Sequence, residues 1–295
     1  MEEYISDNSL YIRSKNNSMI YRKMIGRVLG MLLFIELGMF LLCAGVSAGY
    51  GESDYKYFLY TCIINAVVGG LLLLYGRGAE NKMSRRDGYC VVTLSWVFFT
   101  FFGMLPFYFS GSIDTITNAF FETMSGFTTT GATILDDIES LSHGMLFWRS
   151  LTQWIGGLGI VFFTIAILPI FTTGGVQLFS AESTGVTHDR THPKINVMAK
   201  WLWTIYLVLT VSETVLLMFG GMSLFDAICQ SFATTATGGY STKQNSISYW
   251  NSPYIEYVVA IFMIVSSINF SLFLMCLKGK VGRLFKDEEL HWFLA

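Results

Sequence analysis

A short polar sequence occurs twice in this chain, 108 residues apart, within stretches that are otherwise apolar. The first copy is Phe127-Thr128-Thr129-Thr130-Gly131-Ala132-Thr133 and the second is Thr235-Ala236-Thr237-Gly238-Gly239-Tyr240-Ser241. A gapless overlay places Ala119 on Ala227, Thr129 on Thr237, Gly131 on Gly239 and Thr133 on Ser241. Each copy follows an apolar segment of about 14 residues and precedes a longer apolar run. A helix that short falls well below the roughly 30 Å of a bilayer's hydrocarbon core, so it can only dip in and turn back. A re-entrant helix ending in a Thr/Gly loop can point backbone carbonyls at a cation that is losing its water.

Composition agrees with a membrane setting: 53% of the residues are hydrophobic and only 14% are charged. Apolar runs long enough to span occur at about 28–50, 57–76, 90–111, 146–171, 197–220 and 254–277. The polar residues Met1 to Ile20 lack the form of a cleavable signal peptide. Six spans alternate their loops between two sides, and sixteen of the nineteen Lys and Arg residues fall on one of them. Only Lys56, Arg149 and Lys243 fall on the other. The excess of basic residues on cytoplasmic loops predicts both termini inside and both Thr/Gly loops open to the outside.

The expected organisation starts with a cytoplasmic N-terminus and two leading helices (1–89). A helix–loop–helix repeat (90–171), a cytoplasmic linker (172–196) and a second repeat (197–277) follow. A cytoplasmic loop with the start of a third repeat closes the chain (278–295). Its ending, Leu290-His291-Trp292-Phe293-Leu294-Ala295, reads as the opening of another apolar helix, so the sequence is expected to be an N-terminal portion of a longer protein. Two loops supply half of a carbonyl ring, which is usually built from four.

In the loops, glycine permits the torsions that turn successive carbonyls toward one axis, and threonine hydroxyls add oxygens or brace the backbone. The alternative is a pair of ordinary external turns, where Thr and Gly are common. If the half-helices end at the loops, their dipoles add partial negative charge there. Asp114, Asp136, Asp137, Glu139 and Asp226 form an acidic rim that would gather cations, or else serve as solvated surface. Arg149 is expected to brace loop carbonyls, pair with an acidic neighbour or snorkel to the headgroups. Glu36 and Glu213 interrupt spans at a cost of about 2.5–3.5 kcal/mol each if unpaired, so each is expected to face protein. Gly156-Gly157-Leu158-Gly159 permits close helix contact. Ser266, Ser267, Asn269 and Ser271 make the last span polar. The five cysteines are isolated in apolar segments without a CxxC pair, and His188 and His192 sit beside Pro193, so no metal site is expected.

The stretch from Phe120 through Glu122, Ser125 and Thr128-Thr129-Thr130-Gly131 to Thr133 is followed by Phe147-Trp148-Arg149-Ser150-Leu151-Thr152-Gln153-Trp154-Ile155-Gly156-Gly157-Leu158-Gly159-Ile160. Together these closely resemble the first pore repeat of the TrkH-type subunits of the Trk/Ktr potassium transporter superfamily. Thr237-Gly238-Gly239-Tyr240-Ser241-Thr242 resembles that family's second pore loop, and the similarity runs from about residue 20 to the end. The resemblance implies an all-α polytopic membrane protein with repeated helix–re-entrant loop–helix units, and potassium uptake with sodium as the other candidate ion. It assigns the selectivity filter to Thr129, Thr130, Gly131 and Ala132 with Thr237, Gly238, Gly239 and Tyr240. The ion would sit at the carbonyls of Thr130, Gly131, Gly238 and Gly239. It further implies a homodimer in membrane lipid and a cytosolic nucleotide-binding regulatory subunit of TrkA type, with no cofactor and no nucleic acid.

The sequence therefore points to a cation pore of the cytoplasmic membrane and away from an enzyme. An intramembrane protease would need a GxSG serine and a histidine within a span. Here Ser125 lies in Thr-Met-Ser-Gly, and His143, His188, His192 and His291 lie in loops or at helix edges. The other alternative is a membrane scaffold whose loops fold without enclosing a pore.

Overall fold

The computed structural model describes residues 21–79, 85–159, 192–269, 272–273 and 287–294, and among them there is no strand. Helix α1 (Arg22–Gly49) and helix α2 (Tyr55–Tyr75) form the leading hairpin. At 28 residues, α1 rises about 42 Å, more than a bilayer core requires. The two backbones touch at small residues: a Cβ on Gly30 would lie 2.9 Å from the Gly69 carbonyl oxygen, and one on Gly69 3.2 Å from that of Gly30. Glu36 is fully buried here, and Asn65 Nδ2 of α2 donates to its Oε2 at 3.0 Å.

The third apolar run is divided. Helix α3 covers Arg85–Gly103, Met104 intervenes, and a five-residue α4 covers Leu105–Phe109. Pro106 cannot donate to the turn before it, which breaks what the hydrophobicity alone presents as one helix.

Two 12-residue helices then match at the 108-residue offset: α5 (Ile116–Phe127) and α8 (Leu224–Thr235). Each rises about 18 Å and cannot cross a membrane. Each begins with a hydroxyl cap: Thr115 Oγ1 accepts from Asn118 N at 3.2 Å, and Ser223 Oγ from Asp226 N at 3.1 Å. Helix α6 (His143–Gly157) follows the first loop, α7 (His192–Phe219) precedes α8, and α9 (Pro253–Ser267) follows the second loop. A 3-10 turn (Ser246–Trp250) leads into α9, and a short α10 spans Glu288–Leu294.

Among the described residues, four helical stretches are long and apolar enough to span: α1, α2, 87–109 within α3–α4, and 200–219 within α7. The expected span 254–277 is interrupted. Helix α9 has 15 residues and stops at Ile268, whose backbone is extended at φ −69 and ψ 140. Ser267 Oγ donates to the Met263 carbonyl at 2.8 Å in the last turn, and Asn269 Nδ2 just beyond it donates to Glu289 Oε2 at 3.3 Å. The latter part of the expected span 146–171, most of the linker 172–196 with His188, Ser271 and Cys276 lie outside the described residues.

The main core gathers α1, α3, α5 and α6 around Phe40, Phe99, Phe127, Met145 and Trp148. Trp148 stacks at a tilt on Phe40 with centroids 4.6 Å apart, and its Nε1 donates to the Gly103 carbonyl at 2.8 Å. A smaller cluster of Leu217, Met222, Ala227, Ile255, Val258 and Val259 joins α7, α8 and α9.

Candidate functional site: two matched Thr/Gly loops

Both half-helices end in the same backbone motif. Thr129 N donates to the Gly126 carbonyl and Thr130 N to that of Ser125, each at 3.0 Å. In the second loop Thr237 N donates to Thr234 O at 2.9 Å and Gly238 N to Ala233 O at 2.8 Å. This paired closure needs a left-handed residue just past the helix, usually glycine. Here threonine occupies it twice, Thr129 and Thr237 both at φ 53. A β-branched residue in that region is an outlier that costs on the order of 1–3 kcal/mol. Two residues on, Gly131 and Gly239 are again left-handed, at φ 74 and 86. The repeat seen in sequence therefore extends to individual torsions.

The loops also meet. A Cβ on Gly131 would overlap the carbonyl oxygen of Gly238, so a side chain there is excluded by the opposite loop. Around Gly239 the space within 4 Å is empty.

Hydrogen bonding sets Ala132 apart among the eight expected site carbonyls. Among the described residues, the carbonyls of Thr130, Gly131, Gly238 and Gly239 accept no hydrogen bond. The Ala132 carbonyl, by contrast, accepts from Ser125 Oγ at 2.6 Å and Tyr240 Oη at 3.2 Å, so it is turned into the protein. Tyr240 is likewise a brace: its side chain is 2% exposed, its Oη also lies 2.9 Å from the Glu122 carbonyl, and its N–H donates to Gln153 Oε1 at 3.1 Å. Thr128 and Thr130 face outward with their hydroxyls 2.8 Å apart, and Thr128 Oγ1 donates to Met124 O.

Behind the loops lies an ion pair whose acid sequence reasoning missed. Arg149 Nε donates to Glu122 Oε1 at 2.7 Å, with side chains 2% and 0% exposed. Glu122 also accepts from Thr133 Oγ1 and Ile134 N, both at 3.0 Å, and so holds the outgoing segment of the first loop. Arg149 Nη1 donates to the Ser241 carbonyl of the second loop at 3.0 Å, and its guanidinium lies 3.6 Å from the Tyr240 ring centre. Of the roles considered for Arg149, bracing and pairing both hold and snorkelling does not. The available signal for Glu122 was a carboxylate inside an apolar half-helix, six residues before the Thr triplet.

The glycines after Arg149 serve close approach. A Cβ on Gly156 would overlap the Phe127 carbonyl oxygen, and one on Gly157 would lie 2.6 Å from Tyr206 Oη. Glu213 meets α8, where Thr235 Oγ1 donates to its Oε2 at 3.4 Å.

The acidic residues have mixed positions. Asp114 and Asp136 are exposed. Asp137 Oδ1 accepts from the backbone of Glu139 at 3.1 Å within a turn, while Glu139 lies 3.5 Å from Lys243 Nζ. Asp226 accepts from Thr242 Oγ1 at 2.6 Å and from Ser223 Oγ at 2.8 Å. Beside them, Glu52 caps the start of α6, accepting from His143 N at 2.9 Å with His143 Nδ1 at 2.7 Å. Burial pushes the Glu52 carboxyl up, but the bonds from His143 and Gly144 outweigh it and hold it below the usual range.

Comparison with known proteins accords with this geometry. Residues 55–293 match the family model TrkH, described as a cation transport protein. The chain is 40% identical over 274 residues to the Trk system potassium uptake protein TrkH of Escherichia coli (strain K12), covering 92% of this chain and 57% of the relative. It is 36% identical over 275 residues to the protein of the same name from Halomonas elongata, again 92% of this chain and 57% of that one. The crystal structure of the potassium transporter TrkH from Vibrio parahaemolyticus is similar at TM-score 0.79 and 33% identity, over 94% of this chain and 56% of that chain. The chain thus spans somewhat more than half the length of the relatives it matches. With the family model covering most of its residues, this chain belongs to the TrkH family of cation transport proteins.

Proposed function

We propose that this chain forms half of a potassium-selective uptake pore, with the two Thr/Gly loops as its selectivity filter. The observation that carries the reading is the division among the loop carbonyls. Those of Thr130, Gly131, Gly238 and Gly239 accept no hydrogen bond among the described residues, while the flanking Ala132 and Ser241 carbonyls are bound into the brace. A dehydrated cation needs unengaged oxygens held by a stiff frame. Ala132 then shapes the first loop without supplying an oxygen to the ion, and the Tyr240 side chain braces the second. The carbonyls of Thr129, Thr237 and Tyr240, which also accept no hydrogen bond among the described residues, stand next to the four. Potassium is favoured over sodium because the similar proteins are named for potassium uptake.

The protein would lie in the cytoplasmic membrane with its basic loops and both termini inside, so that ions meet the acidic rim first. A cysteine placed at Asp137 should react with an impermeant reagent from outside, and one at Arg85 should not; reversed labelling would overturn this orientation. The partners in the proposal are a second copy of the chain and a cytosolic nucleotide-binding regulatory subunit of TrkA type.

The test of the filter is growth of a potassium-uptake-deficient bacterium on low potassium, with sodium competition of rubidium uptake in the same cells, using the protein made from its full coding region. Gly131→Ser and Gly239→Ser should insert normally yet lose discrimination against sodium. Gly221→Ser supplies the control, because Gly221 is equally left-handed at φ 94 with open space around it. Wild-type ion preference in both filter variants would make the loops ordinary turns and favour the scaffold reading.

A further inference from the structure

Among the described residues, the second loop has no buried ion pair of its own repeat behind it, only the tie from Thr242 to Asp226 at its outer end. Helix α9, which follows it, carries no Arg, Lys or Gln. At the register of Glu122 stands Gln230, whose Nε2 donates to Thr234 Oγ1 at 3.2 Å and whose buried Oε1 has no partner. Among the described residues, the side chains from outside repeat two that bond the backbone of 237–241 are Gln153 and Arg149, both on α6 of repeat one, and Glu139 accepts from Gln244 N just beyond at 3.3 Å. In return Tyr240, from repeat two, reaches back to the Ala132 and Glu122 carbonyls of repeat one.

We infer that Arg149 and Tyr240 are positioning residues for ion selection across the repeat boundary: they fix the separation of the two loops, and through it the size of the carbonyl cage. The inference rests on the reading of the loops as an ion filter. Its physical ground is the shape of the guanidinium, a planar fork whose Nε holds Glu122, the α5 carboxylate that anchors the first loop, while its Nη1 holds the second loop directly. Out of solvent, both bonds are stronger than they would be in water and neither can be exchanged for a water molecule at low cost. The Tyr240 ring lies against the fork's carbon, so sliding one loop past the other breaks the stacking, the Ser241 bond and the Ala132 bond together. A lysine keeps the charge beside Glu122 but, as a compact ammonium, cannot keep both loops in this geometry.

The experiment compares wild type, Arg149→Lys and Tyr240→Phe, with hydrogen–deuterium exchange on the purified protein and sodium competition of rubidium uptake in cells. Arg149→Lys should raise exchange in residues 237–244 while α5, α6 and α8 stay protected, and sodium should compete at least about tenfold better, the scale of one hydrogen bond to a charged group. Tyr240→Phe leaves the ion pair intact and should show the same pattern more weakly; it decides the matter if Arg149→Lys does not insert. Unchanged exchange in 237–244, or a rise spread evenly over the helices, overturns the tether. Raised loop exchange with wild-type ion preference overturns the selective role. A wild type without rubidium uptake defeats the filter reading and the selective role together, while exchange still decides the tether.

Discussion

In repeat one, the half-helix α5 packs against α3, α4 and α6, and Phe127 at its end is fully buried against Phe99 and Trp148. In repeat two, α8 lies between α6, α7 and α9, and among the described residues the apolar cluster it shares with α7 and α9 is smaller. Yet the two loops have the same closing bonds and the same alternation of left-handed residues. The backbone of such a loop is thus set locally, by the helix end and by Gly131 or Gly239, whereas its rigidity comes from its surroundings. Repeat one has a charged brace within itself through Glu122 and Arg149; repeat two relies on its neighbour.

The contrast between Glu122 and Gln230 should produce the largest difference. Glu122→Gln leaves Arg149 a buried charge without its counter-ion, a loss of about 3–5 kcal/mol. Gln230→Met removes a side chain whose Oε1 is already unpartnered, so it should shift stability by no more than about 1 kcal/mol. Thermal unfolding of the detergent-purified protein measures both, and equal losses would break the comparison.

The glycines come next. Gly131→Ala must displace the Gly238 carbonyl in addition to straining its own torsion, whereas Gly239→Ala meets only the strain of about 1–2 kcal/mol that an L residue suffers in the left-handed region. Rubidium uptake at matched expression should fall further in Gly131→Ala, and the reverse order would mean that the loops are farther apart than their contact indicates.

A smaller effect separates the two caps. Thr115→Ala should cost about 1 kcal/mol. Ser223→Ala should cost more, because Ser223 Oγ also donates to Asp226, which in turn holds Thr242 beyond the second loop. Unfolding temperatures of the two variants test the order.

The smallest prediction concerns Glu52, which ties the leading hairpin to repeat one. Its carboxyl titrates lower in the folded protein than when free, so its stabilisation is fully present above the usual carboxylate range and is lost as pH falls through the folded value. Unfolding temperature should therefore drop on acidification, and Glu52→Gln should flatten part of that slope. An unchanged slope would remove Glu52 from the clamp on α6.

Much of this was legible in the chain. The half-helices could be read because 12 to 14 apolar residues cannot cross a membrane, and the loops because Thr and Gly recur at a fixed offset. Other features were hidden. Nothing in the pattern distinguishes Ala132, whose carbonyl is turned inward, from Gly131 beside it. The apolar run around 90–111 gave no weight to Pro106, and the run 254–277 none to the polar residues around Ile268, because hydropathy averages over a window while a helix ends at a single residue.

The sequence by itself determined the class of the molecule, the duplication and the left-handed glycines, since hydrophobic length, repeat offset and torsional preference are properties of short segments. Only the tertiary structure decided which partner each polar side chain meets. Arg149 and Ser241 are 92 residues apart, and Tyr240 and Ala132 are 108 apart. Inside an apolar protein a buried charge or carbonyl must be satisfied by whatever the packing of helices brings within reach. That packing gave Arg149 one bond to the acid behind the first loop and one to the second loop itself.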